Sequence, residues 1–385
     1  MPQLSHRLDW FNESTIRKMT RIANQHGAIN LSQGFPDFDP PKAIIDELQR
    51  AAIEGPHQYE ITWGAKGFRD ALAEKQERYM GVKINPEENI VVTCGSTEAM
   101  MTAMMAVCEV GDKVAIFSPF YENYAADTIL CGAKPIYIPL NPPEFSFDRK
   151  ALEDAFKEGA KALVLCNPSN PVGKVFTKEE LLDIAKLAEK YDVYVITDEV
   201  YEHIVYEPHE HVYFAALPGM YERTISCSSL SKTYSITGWR LGYVIAPKEV
   251  IDNCKKVHDF LTVGAAAPLQ RAATVGLKFE DSYYKELTKV YTEKRSLFLN
   301  GLDTIGLKYY KPEGAYYVMV NIEEFGIASD TVFAERLIKE VGVAAVPGSS
   351  FFKEDVNSYI RFHYAKKTDT LEAALEKLQN IRKFF

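Results

Sequence analysis

Residues 161–199, KALVLCNPSNPVGKVFTKEELLDIAKLAEKYDVYVITDE, decide the fold. Two short apolar runs inside this stretch, Lys161–Cys166 and Val193–Thr197, are typical of buried strands. Between them, Thr177 opens a capping-box sequence with Glu180 three residues later, and a helical pattern follows. A buried strand, a helix and a second buried strand in succession favour a parallel arrangement of the two strands.

The same alternation continues on both sides of this unit. Further strand candidates are Asn89–Thr93, Lys113–Phe117, Thr224–Ser228 and Leu241–Ala246, and a helix is predicted over 98–110. Near-continuous apolar strands separated by helices are typical of a mostly parallel sheet that helices cover on both faces. The pattern therefore predicts an α/β fold.

The C-terminal part of the chain has a different pattern. A long, charged helical pattern spans about 281–303. Strand candidates with alternating character follow at 315–321 and 359–364, and helices are predicted at about 330–341 and 370–383. Strands and helices in this arrangement predict a smaller α+β unit.

The length of the chain predicts two domains. A chain of 385 residues exceeds the size at which a single hydrophobic core usually stops growing. Residues 1–39 contain no strand candidate for the main sheet, so we expect them to join the C-terminal unit. We predict a large domain over 40–285 and a small domain made of 1–39 and 286–385.

Composition excludes several classes of protein. Acidic residues outnumber basic ones by 53 to 44, and no basic run is present, which argues against binding of nucleic acid. The first residues lack the apolar core of a signal peptide, and no apolar stretch approaches the ~20 residues of a membrane span. The six cysteines are scattered without CxxC pairs, so we predict no metal site and no disulfide framework. We expect a cytoplasmic protein.

Polar residues follow four of the candidate strands. They form the runs Gly95-Ser96-Thr97, Asn167–Pro171, Asp198–Tyr201 and Ser229–Lys232. Each run alone has an ordinary explanation, such as a helix cap or a solvated lysine. Ligands of parallel sheets, however, bind beyond the carboxyl ends of the strands, where these runs would meet.

Together these groups match the needs of pyridoxal 5′-phosphate (PLP). The free N–H groups of a helix start suit a phosphate, and Arg240 can add a forked cation. The carboxylate of Asp198 suits a buried pyridinium nitrogen, and the amine of Lys232 suits an imine with an aldehyde.

Several motifs make a resemblance specific. The segment SLSKTYSITGWRLG (229–242) resembles the cofactor-lysine signature of class I aminotransferases of fold type I. Other segments resemble further motifs of that family in the family's order. They are GSTE (95–98), NPSNPVG (167–173), DEVY (198–201), PEGAYY (312–317), VPGSS (346–350) and YIRF (359–362). The resemblance covers nearly the whole chain, and it implies a mostly parallel seven-stranded-type sheet between helices with a smaller α+β domain.

The resemblance also implies roles for individual residues toward PLP. Lys232 would form the imine and later move the proton of the substrate, and Asp198 would pair with the ring nitrogen. Tyr201 and Asn170 would hydrogen-bond the phenolic oxygen, and Tyr121 would lie over the ring face. The residues that would hold the phosphate are Gly95, Ser96, Thr97, Ser229 and Arg240.

By the same resemblance, Arg361 would clamp the α-carboxylate of the substrate, assisted by Asn170 and the backbone of Gly34. Tyr59 matches a tyrosine that reaches the cofactor of the other subunit. The expected active unit is therefore a homodimer with shared active sites.

The sequence also suggests a substrate class. The block Gln33–Phe38 and Tyr121 resemble the branch with kynurenine, glutamine, methionine and aromatic aminotransferases, and no arginine for a distal carboxylate is identified. The aromatic segments 10–11, 59–63 and 316–317 are predicted to line the side-chain pocket, which favours aromatic or apolar substrates.

We therefore predict a PLP-dependent aminotransferase that acts on amino acids and 2-oxo acids. Two alternatives remain open. One is a PLP-dependent β-lyase for cystathionine or cysteine conjugates, which would share almost every residue named above and release pyruvate and ammonia. The other is a non-catalytic aminotransferase-like sensing module.

Overall fold

The computed structural model describes residues 3–385. Its strands are β1 (Ile29–Asn30), β2 (Ile90–Thr93), β3 (Lys113–Ser118), β4 (Lys134–Asn141), β5 (Ser146–Phe147), β6 (Ala160–Cys166), β7 (Tyr194–Asp198), β8 (Thr224–Ser229), β9 (Gly242–Ile245), β10 (Tyr309–Tyr310), β11 (Tyr317–Asn321), β12 (Val343–Ala344), β13 (Val346–Pro347) and β14 (Tyr359–His363).

The α-helices are α1 (Thr15–His26), α2 (Lys42–Glu54), α3 (Lys66–Met80), α4 (Ser96–Val107), α5 (Asn123–Leu130), α6 (Arg149–Lys157), α7 (Lys178–Lys190), α8 (Lys248–Leu261), α9 (Ala267–Leu277), α10 (Asp281–Ile305), α11 (Asp330–Arg336) and α12 (Thr368–Leu378). A π-helical turn, Leu337–Val341, continues α11. In the part of the chain that the structure describes, no helix has both the length and the apolar character needed to cross a membrane.

The central sheet has eight strands in the order β2-β9-β8-β7-β6-β3-β4-β5. The pairs β3–β4, β3–β6, β6–β7 and β7–β8 are parallel, whereas β9 runs antiparallel to both of its neighbours. The predicted mostly parallel α/β sheet is confirmed, and the two-residue strand β5 extends it at one edge. Because β2, β6, β7 and β8 point the same way, their carboxyl ends meet at one edge.

Strand β4, which reads KPIYIPLN, was not predicted from the sequence. Two prolines, Pro135 and Pro139, weakened the strand pattern. The structure places β4 next to the edge of the sheet, where only the short β5 lies beyond it, and proline is tolerated near edges because fewer ladder hydrogen bonds are lost.

A second sheet, in the order β10-β11-β14-β13, is antiparallel throughout. It shares a core with α10 and α12 that includes Phe298, Phe362 and Leu371. The N-terminal strand β1 pairs in parallel with β12, which joins the start of the chain to this region. The domain boundary near residue 285 stays a prediction, because α10 runs unbroken across it.

A buried ion pair fixes the turn that follows β7. Lys75 on α3 donates to Glu202 at 2.9 Å, and both side chains are at most 3% exposed. Gln76 and Tyr213 donate to the other carboxylate oxygen of Glu202 at 3.1 and 2.8 Å. A buried carboxylate needs such partners, so this network ties α3 to the turn that begins at Asp198.

Replacing Glu202 by alanine should destabilise the protein strongly, because it leaves the ammonium of Lys75 buried without an opposite charge. We expect the free energy of unfolding to fall by about 3–5 kcal/mol. Urea unfolding followed by circular dichroism measures the loss. Glu207→Ala, an exposed position five residues later in the chain, is the matched control. Equal losses in the two variants would contradict the role given to the buried pair.

Candidate active site

A cavity of about 420 Å³ lies at the carboxyl ends of the parallel strands, where the two sheets face each other. Most of the site residues predicted from the sequence line it. They are Gly34, Ser96, Thr97, Tyr121, Asn170, Asp198, Tyr201, Ser229, Lys232, Arg240 and Arg361. The convergence of separate strand ends therefore happens as the parallel topology requires.

Lys232 follows β8 and points into this cavity. Its Nζ donates to the carbonyl oxygen of Gly34 at 3.3 Å and lies 5.8 Å from the ring centre of Tyr316. Burial lowers the pKa of Lys232 to about 8, with Arg240 adding to the effect and Asp198 opposing it. A substantial share of the amine is thus neutral near pH 8, and a neutral amine is nucleophilic.

Asp198 is the last residue of β7 and is buried. The hydroxyl of Tyr124 donates to its Oδ2 at 2.7 Å. Burial raises the pKa of Asp198 to about 6, and the hydrogen bond from Tyr124 and the charge of Lys232 oppose this rise. The carboxylate is mainly ionised at neutral pH and can hold a cationic N–H group in the cavity.

A narrow cradle lies at the start of α4. Gly95 caps this helix with a φ of 84°, and a Cβ there would lie 2.2 Å from a guanidinium nitrogen of Arg240. A Cβ on Gly242 would lie 2.4 Å from the backbone of Gly95. Within the described residues 3–385, the hydroxyl of Ser229 is buried without a partner, and the first N–H groups of the helix, from Ser96 onward, are free. The cradle combines a helix start with a guanidinium, which suits an anion such as phosphate.

Arg361 lies on β14 and is fully buried. Its guanidinium donates to Oδ1 of Asn170 at 2.5 Å and to the carbonyl oxygen of Ser32 at 2.9 Å. The aromatic rings of Tyr317 and Phe351 lie 4.2 and 4.5 Å from it. Its Nε has no partner within residues 3–385, so a donor on a fixed fork remains for a carboxylate.

The structure distinguishes Tyr316 from Tyr317, which the sequence analysis treated together as one aromatic segment. The hydroxyls of Tyr201 and Tyr317 lie 2.8 Å apart, and both residues line the cavity. Tyr316 instead donates to the carbonyl oxygen of Gly34 at 3.0 Å and does not line the cavity. Of this adjacent pair, only Tyr317 is placed to contact a substrate in its own chain.

Some predicted residues lie elsewhere. Tyr59 is 88% exposed and Trp10 is 77% exposed, and neither lines the cavity of its own chain. The segments 10–11 and 59–63 therefore do not form a side-chain pocket within one chain. That Tyr59 reaches the site of a second subunit stays a prediction.

The structure adds residues that the sequence analysis did not find. Tyr124 lies one helical turn from Tyr121, and this spacing could have indicated it. Ser14, Arg17 and Glu122 also line the cavity, although Ser14 and Arg17 lie far from every motif in the sequence. No arginine for a distal carboxylate was identified from the sequence, and the structure places one arginine, Arg17, on the wall of this cavity.

No group of three or more metal-ligating side chains among residues 3–385 is arranged to hold a metal ion.

Comparisons with known proteins agree with this geometry. The sequence model for aminotransferase class I and II matches residues 26–378. The methionine aminotransferase of Escherichia coli K12 is 35% identical over 97% of both chains, and an aspartate aminotransferase of Pyrococcus abyssi is 36% identical over 98% of both. The solved structure of N-succinyldiaminopimelate aminotransferase from Mycobacterium tuberculosis superimposes with a TM-score of 0.94 at 34% identity, covering 98% of this chain and 99% of that one.

The cradle gives a direct test. Gly242→Ala would displace the backbone of Gly95 and Ser96 at the start of α4, so we expect the affinity for PLP to fall at least about tenfold, or about 1.4 kcal/mol. Titration of the cofactor-free protein with PLP, followed by absorbance, measures the affinity. Gly67→Ala is the control, because a Cβ at Gly67 meets no atom within 4 Å. An unchanged affinity in Gly242→Ala would show that the cradle does not hold the phosphate.

Proposed function

This chain belongs to the aminotransferase class I and II family, and from that premise we propose that it binds PLP beside Lys232 and moves the amino group of an L-amino acid to a 2-oxo acid. The chain is accordingly an aminotransferase. For its amino donors we propose the methionine, glutamine, aromatic and kynurenine type. The observation that carries the proposal is the meeting of Lys232, Asp198, the phosphate cradle and Arg361 in one cavity.

The residues of the cavity fit this cofactor. The cradle offers a guanidinium, free helix N–H groups and the unpartnered hydroxyl of Ser229 to a phosphate. When bound, PLP supplies an aldehyde that joins covalently to an amine and a protonated ring that withdraws electrons from the carbon bearing that amine. Asp198 and Lys232 offer the carboxylate and the amine that these two features need.

Lys232 has two tasks in this proposal. Its neutral Nζ would hold the aldehyde of the cofactor, and the same atom, when free, would serve as the base for the proton on the α-carbon of the substrate. The hydrogen bond to the carbonyl oxygen of Gly34 keeps the free amine inside the cavity. A base held next to the reacting carbon contributes typically 10²–10⁴-fold to a rate.

Asp198 would hold a proton at the ring nitrogen of the cofactor, and Tyr124 orients the carboxylate through its hydrogen bond. Tyr121 would pack against the ring face. Tyr201 and Asn170 would donate hydrogen bonds to the phenolic oxygen of the ring.

Arg361 binds the α-carboxylate of the substrate. Two of its nitrogens are already engaged by Asn170 and Ser32, which fixes the plane of the guanidinium before the substrate arrives. Such preorganisation reduces the ordering cost of binding.

Neither alternative explains the observations as well. The β-lyase is not favoured, because the similar proteins reported above are named as aminotransferases. A sensing module would not require Lys232, Asp198 and Arg361 to converge on one cavity.

We also propose that the active unit is a homodimer in which Tyr59 contacts the partner's cofactor. Support comes from exposed apolar side chains near Tyr59. Ile61, 48% exposed, and Val263, 47% exposed, line the same surface depression as Tyr59. Phe260, three residues before Val263, is 91% exposed. Large exposed apolar patches mark interaction sites more often than free surface.

The activity is tested by mixing the PLP-loaded protein with a panel of amino acids. With methionine, glutamine and aromatic amino acids, we expect the visible absorbance of the bound cofactor to fall and the matching 2-oxo acid to form. Lys232→Ala should reduce the rate by at least about 10³-fold, because the amine that moves the proton is absent. Lys278→Ala, an exposed lysine, is the control. Release of pyruvate and ammonia from cystathionine when no 2-oxo acid has been added as an acceptor would instead support the lyase.

The pKa of Lys232 predicts a pH dependence. Only the neutral amine attaches an aldehyde, and the amine of Lys232 is charged below its pKa of about 8. The rate of covalent attachment of PLP to the cofactor-free protein should therefore rise with pH up to about 8 and level off above it. A free lysine derivative keeps rising toward its ordinary pKa of 10.5. A protein profile that rises in parallel with the free amine would contradict the effect of burial.

A further inference from the structure

Glu122 is a carboxylate in the cavity that the proposed mechanism does not use. It follows Tyr121 directly, precedes α5 and is half-buried. Ser14, the residue before α1, donates a hydrogen bond from its hydroxyl to one carboxylate oxygen of Glu122. No other side-chain partner of Glu122 is found in the described range 3–385, so the second oxygen remains available to a ligand.

The charge of Glu122 acts on the end of the cavity where the substrate would bind. Burial lowers the pKa of Arg361, and Glu122 is among the groups that oppose this effect. The same carboxylate acts on the hydroxyl of Tyr121, whose pKa is raised by burial and further by Glu122. A ligand held between Arg361 and Tyr121 therefore experiences the field of this carboxylate.

Arg17 offers an opposing charge on the cavity wall. It lies on α1, lines the same cavity and is exposed to water. Among residues 3–385, no ion pair joins Arg17 to Glu122 within 4 Å. Water and salt screen an exposed charge more than a half-buried one, so Glu122 contributes more than Arg17 to the field in this part of the cavity.

We propose that Glu122 determines the substrate class by rejecting substrates with a second carboxylate and accepting those with a neutral side chain. The inference rests on the proposed function. Arg361 and Glu122 line the same cavity, so the side chain of an amino acid clamped by Arg361 would share that cavity with the carboxylate of Glu122. A distal carboxylate would meet a like charge, whereas an amide N–H, as in glutamine, could donate to the free oxygen. The same argument favours monocarboxylic over dicarboxylic 2-oxo acids as acceptors.

Glu122→Gln removes the charge and keeps an oxygen that can accept from Ser14. We expect the ratio of kcat/KM for glutamate to that for methionine to rise roughly tenfold, as removal of one partly screened repulsion predicts. In the wild type this ratio should also rise with salt concentration, and in Glu122→Gln it should respond less. A purely structural role for Glu122 would not change the salt response.

Glu13→Gln is the matched control. Glu13 lies two residues before α1, pairs with Arg21, is 62% exposed and does not line the cavity. Its substitution changes the net charge equally and should leave the glutamate-to-methionine ratio unchanged.

Arg17→Gln separates the two charges at the cavity. Two results together would overturn the inference and assign selectivity to Arg17. In Arg17→Gln, kcat/KM for glutamate would fall, and in Glu122→Gln, the ratio of kcat/KM for glutamate to that for methionine would change less than about twofold. That outcome leaves the aminotransferase function standing. Absence of amino transfer in the wild type with every amino acid tested would overturn the proposed function and this inference with it.

Discussion

A cation buried from water organises this molecule. Removing the guanidinium of Arg361 from water costs several kcal/mol, so the fold must supply acceptors for it. The acceptors are Asn170, in the loop after β6, and Ser32, in the segment after β1. The hydrogen bonds that satisfy Arg361 therefore connect the antiparallel sheet, the N-terminal segment and the edge of the central sheet at one point. The cavity of the proposed reaction lies at that point.

The same physical effect prepares the two groups that perform the proposed chemistry. Burial disfavours charge, so it lowers the pKa of Lys232 and raises that of Asp198. Each group limits the shift of the other, because their charges are opposite. The result is an amine that is neutral in part near pH 8 beside a carboxylate that remains mainly ionised. In open solvent, the same lysine would be almost fully charged at this pH, because its ordinary pKa is 10.5.

Solvent exposure also separates the roles of the charges along the cavity wall. Glu122 is half-buried and held by Ser14, whereas Arg17 is exposed to water. Ser14, which holds Glu122, directly precedes α1, and Arg17 lies on α1, so both charges depend on the position of this helix. Strand β1 follows α1 and pairs with β12 in the C-terminal region. The proposed selection of substrates therefore depends on an element that lies far in sequence from the residues that would bind the cofactor.

The sequence by itself determined the α/β class and most of the cavity, because apolar periodicity identifies parallel strands and parallel strands bring their carboxyl ends together. Lys232, Asp198, Asn170 and Ser229 could be placed from that rule, and family motifs added Arg240 and Arg361. It did not reveal β4, since two prolines hide a strand that only its position near the edge permits. Only the tertiary structure decided that Ser14, Arg17 and Glu122 meet at the cavity, and that Tyr317 rather than Tyr316 faces it. Those contacts depend on how α1 and β11 pack against the central sheet, and no local pattern in the chain encodes a contact between such distant segments.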